Sequence, residues 1–548
     1  MALIAFLRRK LVIAVCLSMV LMGLLHPAIP FDMGLSEMMT HIQKSEQAAN
    51  VDLPAESQSP NITNHASPSH DPDIPVSNVR TSRLHFLIPA SRPNLQFCYH
   101  VASATAIRYP APTLLGWNGH GEFDAAVTHL AKLRAMMRYL NRLNLEEEGD
   151  DLVMIMDGYD IIHQLPPDVM IERYFQAAAK ANAHLAQRLG LSVEHAGAKN
   201  LKQTVFFGPD KVCWPQDARA ARCWAAPPST LGVDPFGPDK GPDEWSSKDP
   251  RWLNSGTIIG PATDVTKVIN ATIEEIDATY DTSFWQSDSD QYYLANVWGR
   301  QEYWRNQTFL GEDDLDDDDD SLDRIIPEKR SDTQETELHI AIEYESSLFQ
   351  TKFGNEPFIG FLQYNLTDQS ANINTDLVGQ GEKFRSYPIR MPDNVRTALM
   401  KLYNSVPSAH AGASAEDWIQ LVHLGTNFVT KQIYGLWHCT GGKEFLDGEF
   451  TRMWFYPFVK SLLRESVKAS QRNEPLSTKL IDGRRWIPKW SYPNKEDRSD
   501  EYGGAWSDEG PGKFVSWKEM CGDHEGILFA GSAGYGFVNG NGGDGGTD

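Results

Sequence analysis

The sequence predicts an α/β fold built on a mostly parallel central sheet. Two observations carry that prediction. Apolar runs such as LVMIM (152–156) and QTVFF (203–207) lack polar alternation, as strands covered on both faces do. Between such runs the apolar period changes to three or four residues, so strand-like and helix-like segments alternate along the chain.

The elements follow in order. RLHFLIPA (83–90) is the first strand candidate and LQFCYHVAS (95–103) a second. The turn-rich PTLLGWNGHGEF (112–123) leads to Asp124, an N-cap candidate for an amphipathic helix marked by Val127, Leu130, Leu133, Met137 and Leu140. Polar EEEGDD then passes into LVMIM. A helix is expected near 168–189, strands at 203–207 and 252–260, and helices over 264–276 and from 290. A strand resumes in ELHIAIEYESSLFQ (337–350).

At 548 residues the chain can hold two to three ordinary domains or one large domain with insertions. With 41% hydrophobic residues it can bury a substantial core, and a net charge of -23 argues against a nucleic-acid partner. RRK followed by LVIAVCLSMVLMGLL reads as a signal-anchor with a cytosolic tail over 1–31, in preference to a cleaved signal peptide. That reading gives a single-pass type II protein of the Golgi or endoplasmic reticulum membrane with its catalytic domain in the lumen. Asn61, Asn270, Asn306 and Asn365 head N-x-S/T triplets compatible with a glycoprotein. Beyond the anchor lie Cys98, Cys213, Cys223, Cys439 and Cys521, an odd number, so at least one is free or pairs with another chain.

The organisation expected is a disordered stem over 32–80, a main domain over 81–440 with an acidic insert at 311–331, an extension over 441–500 packing on that domain, and a largely disordered tail over 501–548. The five aspartates at 316–320 repel one another and read as solvated, not as a metal site.

VMIMDGYDII (153–162) is the most informative stretch. Ligands of open α/β sheets sit beyond the carboxyl ends of strands. Asp157 follows the strand directly, and with Gly158 easing a turn, Asp160 can converge with it on one hard divalent cation. The bland alternative is a turn with a helix cap. Its companions in order are FFGPDKVCWP (206–215), WLNSGTIIG (252–260), SDSDQYY (287–293), ESSLFQ (345–350) and VHLGTNFVTK (422–431).

This series resembles the glycosyltransferase domain of the procollagen lysyl hydroxylase/glucosyltransferase proteins and their relatives, over roughly 83–437. The resemblance implies a GT-A-like fold, a Mn²⁺ ion, a UDP-sugar donor, and transfer of a hexose such as glucose or galactose to a hydroxyl of a protein or glycan acceptor. It implies Asp157, Asp160 and His423 as metal ligands, although Gly425 and the displaced Asn427 depart from the family's H-x-N-G segment. It places Lys132 on the diphosphate, Trp117 against uracil, and Asn254 and Ser255 beneath the sugar. Asp290, Gln291 and Asp210 become the catalytic group, with Asp210 standing where the family has a glutamate. No facial triad of the hydroxylase kind is found in the C-terminal part, so neither that activity nor collagen as acceptor carries over. The rival expectations are a GT-A-like binding or scaffold protein of the secretory pathway without turnover, and a phosphohydrolase using the same carboxylates.

Overall fold

Successive strand residues point to opposite faces, and in this chain both faces of the central strands are apolar. The computed structural model describes residues 79–119, 129–310, 323–364, 368–410, 412–494, 500–509 and 512–532, all belonging to one compact unit, Val76–Asp548. In chain order its strands are β1 (Thr81–Pro89), β2 (Thr113–Leu115), β3 (Leu152–Met156), β4 (Ile161–His163), β5 (Val205–Asp210), β6 (Trp252–Pro261), β7 (Ile340–Ile342), β8 (Phe349–Thr351) and β9 (Ile359–Gln363). There follow β10 (Ser370–Ile373), β11 (Tyr387–Arg390), β12 (His423–Asn427), β13 (Gln432–Ile433), β14 (Leu436–His438), β15 (Arg485–Pro488), β16 (Gly504–Ser507) and β17 (Phe514–Ser516). The longer helices are α1 (Leu95–Ala106), α2 (Leu130–Leu140), α3 (Pro167–Arg188), α4 (Ala262–Thr279), α5 (Asp290–Phe309), α6 (Asp393–Asn404) and α7 (Val459–Gln471).

The main sheet runs β17-β16-β2-β1-β3-β6-β5-β7. β15 also pairs with β1, taking its first half while β2 takes its second, on the edge opposite β3. In β3, Leu152, Met154 and Met156 face one core while Val153 and Ile155 face another. The second core is closed by α2, α4 and α5 through residues such as Leu133, Val268 and Val297. The first is closed by α1, α3, α6 and α7. This is a mixed α/β architecture, and five of the eight strand pairings in the main sheet are parallel. β6 runs antiparallel to both β3 and β5, and β17 antiparallel to β16. A run apolar on both faces reports burial, not strand direction, so the sequence carried no sign of the reversal.

LQFCYHVAS is a helix, not a strand. Asn94 caps it by accepting from the Phe97 N–H at 2.8 Å. It is buried on nearly every side, which erases the polar stripe that would have marked a helical period. The tail expected to be disordered instead supplies β16 and β17 to the main sheet. Trp517 is fully buried, and Cys521 bridges to Cys98 on α1. Glycine-rich composition outside these strands had masked their apolar residues. A second disulfide joins Cys213 to Cys223, and Cys439 is a buried free thiol.

The single-pass membrane topology, with its Golgi or endoplasmic reticulum placement, is corrected. Among the described residues no helix is long and apolar enough to cross a membrane. The 1–31 segment on which that expectation rested lies outside the described residues, as do the 32–78 part of the stem, Asp124 with Val127, and 311–322 of the acidic insert.

The Cys98–Cys521 bridge spans 423 residues and fastens the last strands of the sheet to α1. Replacing both cysteines by serine is expected to cost ~2–5 kcal/mol and to lower the melting temperature in calorimetry. Unchanged melting would remove this role.

Candidate functional site

The chain turns sharply as it leaves β3. The Asp157 N–H donates to the Gly256 carbonyl at 2.8 Å, the last rung between β3 and β6. Gly158 then passes so close to β1 that a Cβ there would lie 2.5 Å from the Pro89 carbonyl oxygen. The Tyr159 hydroxyl accepts from the N–H groups of Ser91 and Arg92 at 3.0 and 3.1 Å. These contacts pin the turn and send Asp160 inward, where it is 7% exposed.

A small sheet brings the third side chain. β14 lies between β4 and β8, with His438 opposite Ile161, and the Cys439 N–H donates to the Asp160 carbonyl at 2.8 Å. His438 Nε2 therefore stands 3.2 Å from Asp160 Oδ2. Asp157, Asp160 and His438 each offer a ligand atom within 4.8 Å of one another, a group that could hold a metal ion.

β6 packs against that group. Its pairing with β5 jumps from Phe207↔Ile258 to Gly208↔Asn254, so residues 255–257 bulge out of the ladder. The bulge presents Gly256 to the group, where a Cβ would lie 2.3 Å from His438 Cε1 and 2.8 Å from Asp157 Oδ2. Two buried atoms of the group, Asp160 Oδ1 and His438 Nδ1, have no hydrogen-bond partner. Two carboxylates and an imidazole, with two buried polar atoms left without a hydrogen-bond partner, form a donor set that could hold a metal ion.

A lysine ammonium stands against each of these carboxylates. Burial opposes the charge of Asp160, but His438 and the Lys443 ammonium together keep its carboxyl well below the usual range. Lys132, on α2, bridges Asp157 Oδ1 at 2.7 Å and Asp290 Oδ2 at 2.5 Å. Desolvation would discharge Lys132, yet the two aspartates raise its pKa further. Asp290 opens α5 and is likewise held below its ordinary value by Lys132 against the effect of burial.

Asp210 has no such cation. It ends β5, is buried, and accepts from Asn254 Nδ2 at 3.3 Å and Gln291 Nε2 at 3.5 Å. Burial outweighs those bonds and pushes its pKa up to about 6. Asn254 also accepts from the Gly256 N–H at 3.0 Å, and the Ser255 N–H donates to Gln291 Oε1 at 3.5 Å. One network thus links Asp210, Asn254, Ser255 and Gln291 to the bulge and to the start of α5.

Two of the residues named from the sequence lie elsewhere. His423 is exposed on β12, opposite Gln363, and does not join the aspartates. Asn427 is buried and caps the following turn by accepting from the N–H groups of Val429 and Thr430. Trp117 is 5% exposed and packs its ring on Phe97, centroids 5.4 Å apart, so it offers no open face for stacking. The residues that sequence reasoning missed are His438 and Lys443, both in WHCTGGKEF. The one local signal was a histidine ending a short apolar strand before a glycine pair.

A second group, His85, Glu148 and Asp151, also has metal-compatible spacing. It lies at the opposite end of β3, where Lys489 pairs with Glu148 and Arg83 stands 3.6 Å from Asp151, so its charges are matched without an ion. No protein-family model matches the chain, and no curated protein matches it in sequence.

Three outcomes follow from this geometry. His438→Ala is expected to weaken Mn²⁺ binding at least ~10-fold in calorimetric titration, whereas His423→Ala leaves it unchanged. The reverse ranking would return the ligand role to His423. Gly256→Ala, whose methyl would press on His438 and Asp157, is expected to weaken Mn²⁺ binding with the fold intact by circular dichroism.

Asp210 gives a pH prediction. Its folded pKa is raised, so its contribution to stability is greatest below the unfolded value near 3.8 and is lost as pH rises through about 6. Asp210→Asn is therefore expected to stabilise the protein at pH 7.5, by up to about 3 kcal/mol. That gain should vanish near pH 4 in melting curves.

Proposed function

We propose that the chain is a metal-dependent glycosyltransferase that moves a hexose, glucose or galactose, from a UDP-sugar to an acceptor hydroxyl on a protein or glycan. The convergence of Asp157, Asp160 and His438, packed against Gly256, carries this reading. The chain's resemblance to the glycosyltransferase domain of the lysyl hydroxylase/glucosyltransferase proteins, and with it a GT-A-like fold, belongs to the same proposal.

In this reading Asp157, Asp160 and His438 would hold Mn²⁺, which would supply positive charge to a leaving diphosphate. Lys132 lies beside the same oxygens and adds a positive charge to the donor end of the site. Lys443, against Asp160 and half exposed, adds a second. Asp290 stays ionised and offers negative charge to the sugar carbon as its bond to the diphosphate breaks. Asp210, with a pKa near 6, takes the proton from the acceptor hydroxyl at neutral pH. Asn254 and Gln291 hold that carboxylate in place.

The test is UDP release by the full chain from UDP-glucose, UDP-galactose, UDP-GlcNAc and UDP-glucuronate, each with Mn²⁺ or with EDTA. Release is expected from a hexose donor only with metal, and about 100-fold lower in Asp157→Ala and Asp160→Ala. Metal-dependent UDP binding is measured on the same samples. Absence of both release and binding would overturn the proposal.

A further inference from the structure

The two segments that carry Asp210 and Asp290 each place an exposed tryptophan close to the site residue in sequence, and the two rings meet. Trp214 follows Asp210 in the DKVCWP loop and is 38% exposed. Trp285 precedes Asp290 in the turn before α5 and is 70% exposed. Their rings pack edge to face, centroids 5.6 Å apart and planes at 88°.

Both rings are mounted on fixed supports. Cys213, beside Trp214, is bridged to Cys223. The Pro215 carbonyl accepts from Arg222 Nε and Nη2 at 3.1 and 2.9 Å, and Arg222 Nη1 donates to Asn296 of α5 at 2.9 Å. On the other segment Phe284, next to Trp285, packs on Tyr292 of α5 at 4.9 Å between centroids. The Tyr293 hydroxyl donates to the Ser287 carbonyl at 2.9 Å. A large apolar ring left open to water, on a loop tied down by a disulfide and a buried arginine, is the arrangement a binding surface uses to avoid ordering costs on association.

We infer that Trp285, with Trp214 as its edge support, is the acceptor platform of the proposed transferase site, and that it takes the apolar face of a pyranose ring. The size of the patch favours a sugar over a protein. Two indole rings cover one hexose unit but fall short of the contiguous apolar area that a protein partner buries. The chemistry around them agrees. Asp210, Asn254 and Gln291 are acceptors and donors suited to hydroxyls, and Asp288, bonded to the Tyr280 hydroxyl at 3.1 Å, adds a further carboxylate.

This inference rests on the transferase reading, and the experiment separates the two. The full chain is applied to a printed panel of neutral and acidic oligosaccharides, with linear polyols as the control surface, alongside Trp285→Ala, Trp285→Phe and Trp214→Ala. The wild type is expected to retain a subset of the saccharides and none of the polyols. Trp285→Ala should bind that subset at least ten-fold more weakly, Trp285→Phe within about three-fold of wild type, and Trp214→Ala at an intermediate level. Because Trp285 is largely exposed, its variants should melt with the wild type. Retention that Trp285→Ala leaves unchanged, or no saccharide retained by the wild type, overturns the platform. Saccharide retention without metal-dependent UDP binding overturns the transferase reading and the acceptor role with it, leaving Trp285 as a saccharide-binding surface.

Discussion

Four carboxylates crowd the end of the central sheet, and the site exists only because two lysines stand among them. Asp157, Asp160, Asp290 and Asp210 come from three strand ends and a helix start. Unit charges about 4 Å apart repel by several kcal/mol at the effective dielectric of a partly buried site. Lys132 joins Asp157 to Asp290, and Lys443 faces Asp160. Asp210 receives neither, and its pKa rises. Asp160 and Asp290 are thus held below their ordinary range, while Asp210 is raised toward neutrality. The same division separates groups that hold and orient from the one group able to exchange a proton under ordinary conditions.

How much of this was legible depended on how local each cause was. Asp157 and Asp160 were readable because a strand, a glycine and a turn act within ten residues. Lys132 was placed by the resemblance alone, for its helix is separated from the aspartates by a loop and a strand. The histidine was not readable. His423 and His438 both sit in short strands, and nothing within either strand ranks them. The choice is made by the pairing of β14 with β4, which sets His438 beside Asp160, while β12 pairs with β9 and leaves His423 in solvent. Such register is fixed by contacts between segments more than 270 residues apart, as Trp437 against Ile162 shows.

The fold misreadings have physical origins. α1 is buried on nearly every side, which removes the alternation from which an element's type is read, and the C-terminal strands are short and set in glycine-rich sequence. β6 shows the opposite case. WLNSGTIIG was correctly expected as a strand, yet its direction and its bulge at 255–257 arise from pairing with two neighbours. That bulge is what turns an ordinary strand into the floor of a site, since it alone brings Gly256 against Asp157 and His438.

The position of β16 bears on how the protein is made. Its neighbour β2 ends at Leu115, whereas β16 begins at Gly504. A ribosome adding about 5–20 residues per second needs roughly 20–80 s to travel from one to the other. During that interval β2 has emerged with one hydrogen-bonding edge unmatched and its apolar residues uncovered. The nascent chain must therefore be guarded at this edge, by its own earlier segments or by a chaperone, until the last strands leave the exit tunnel.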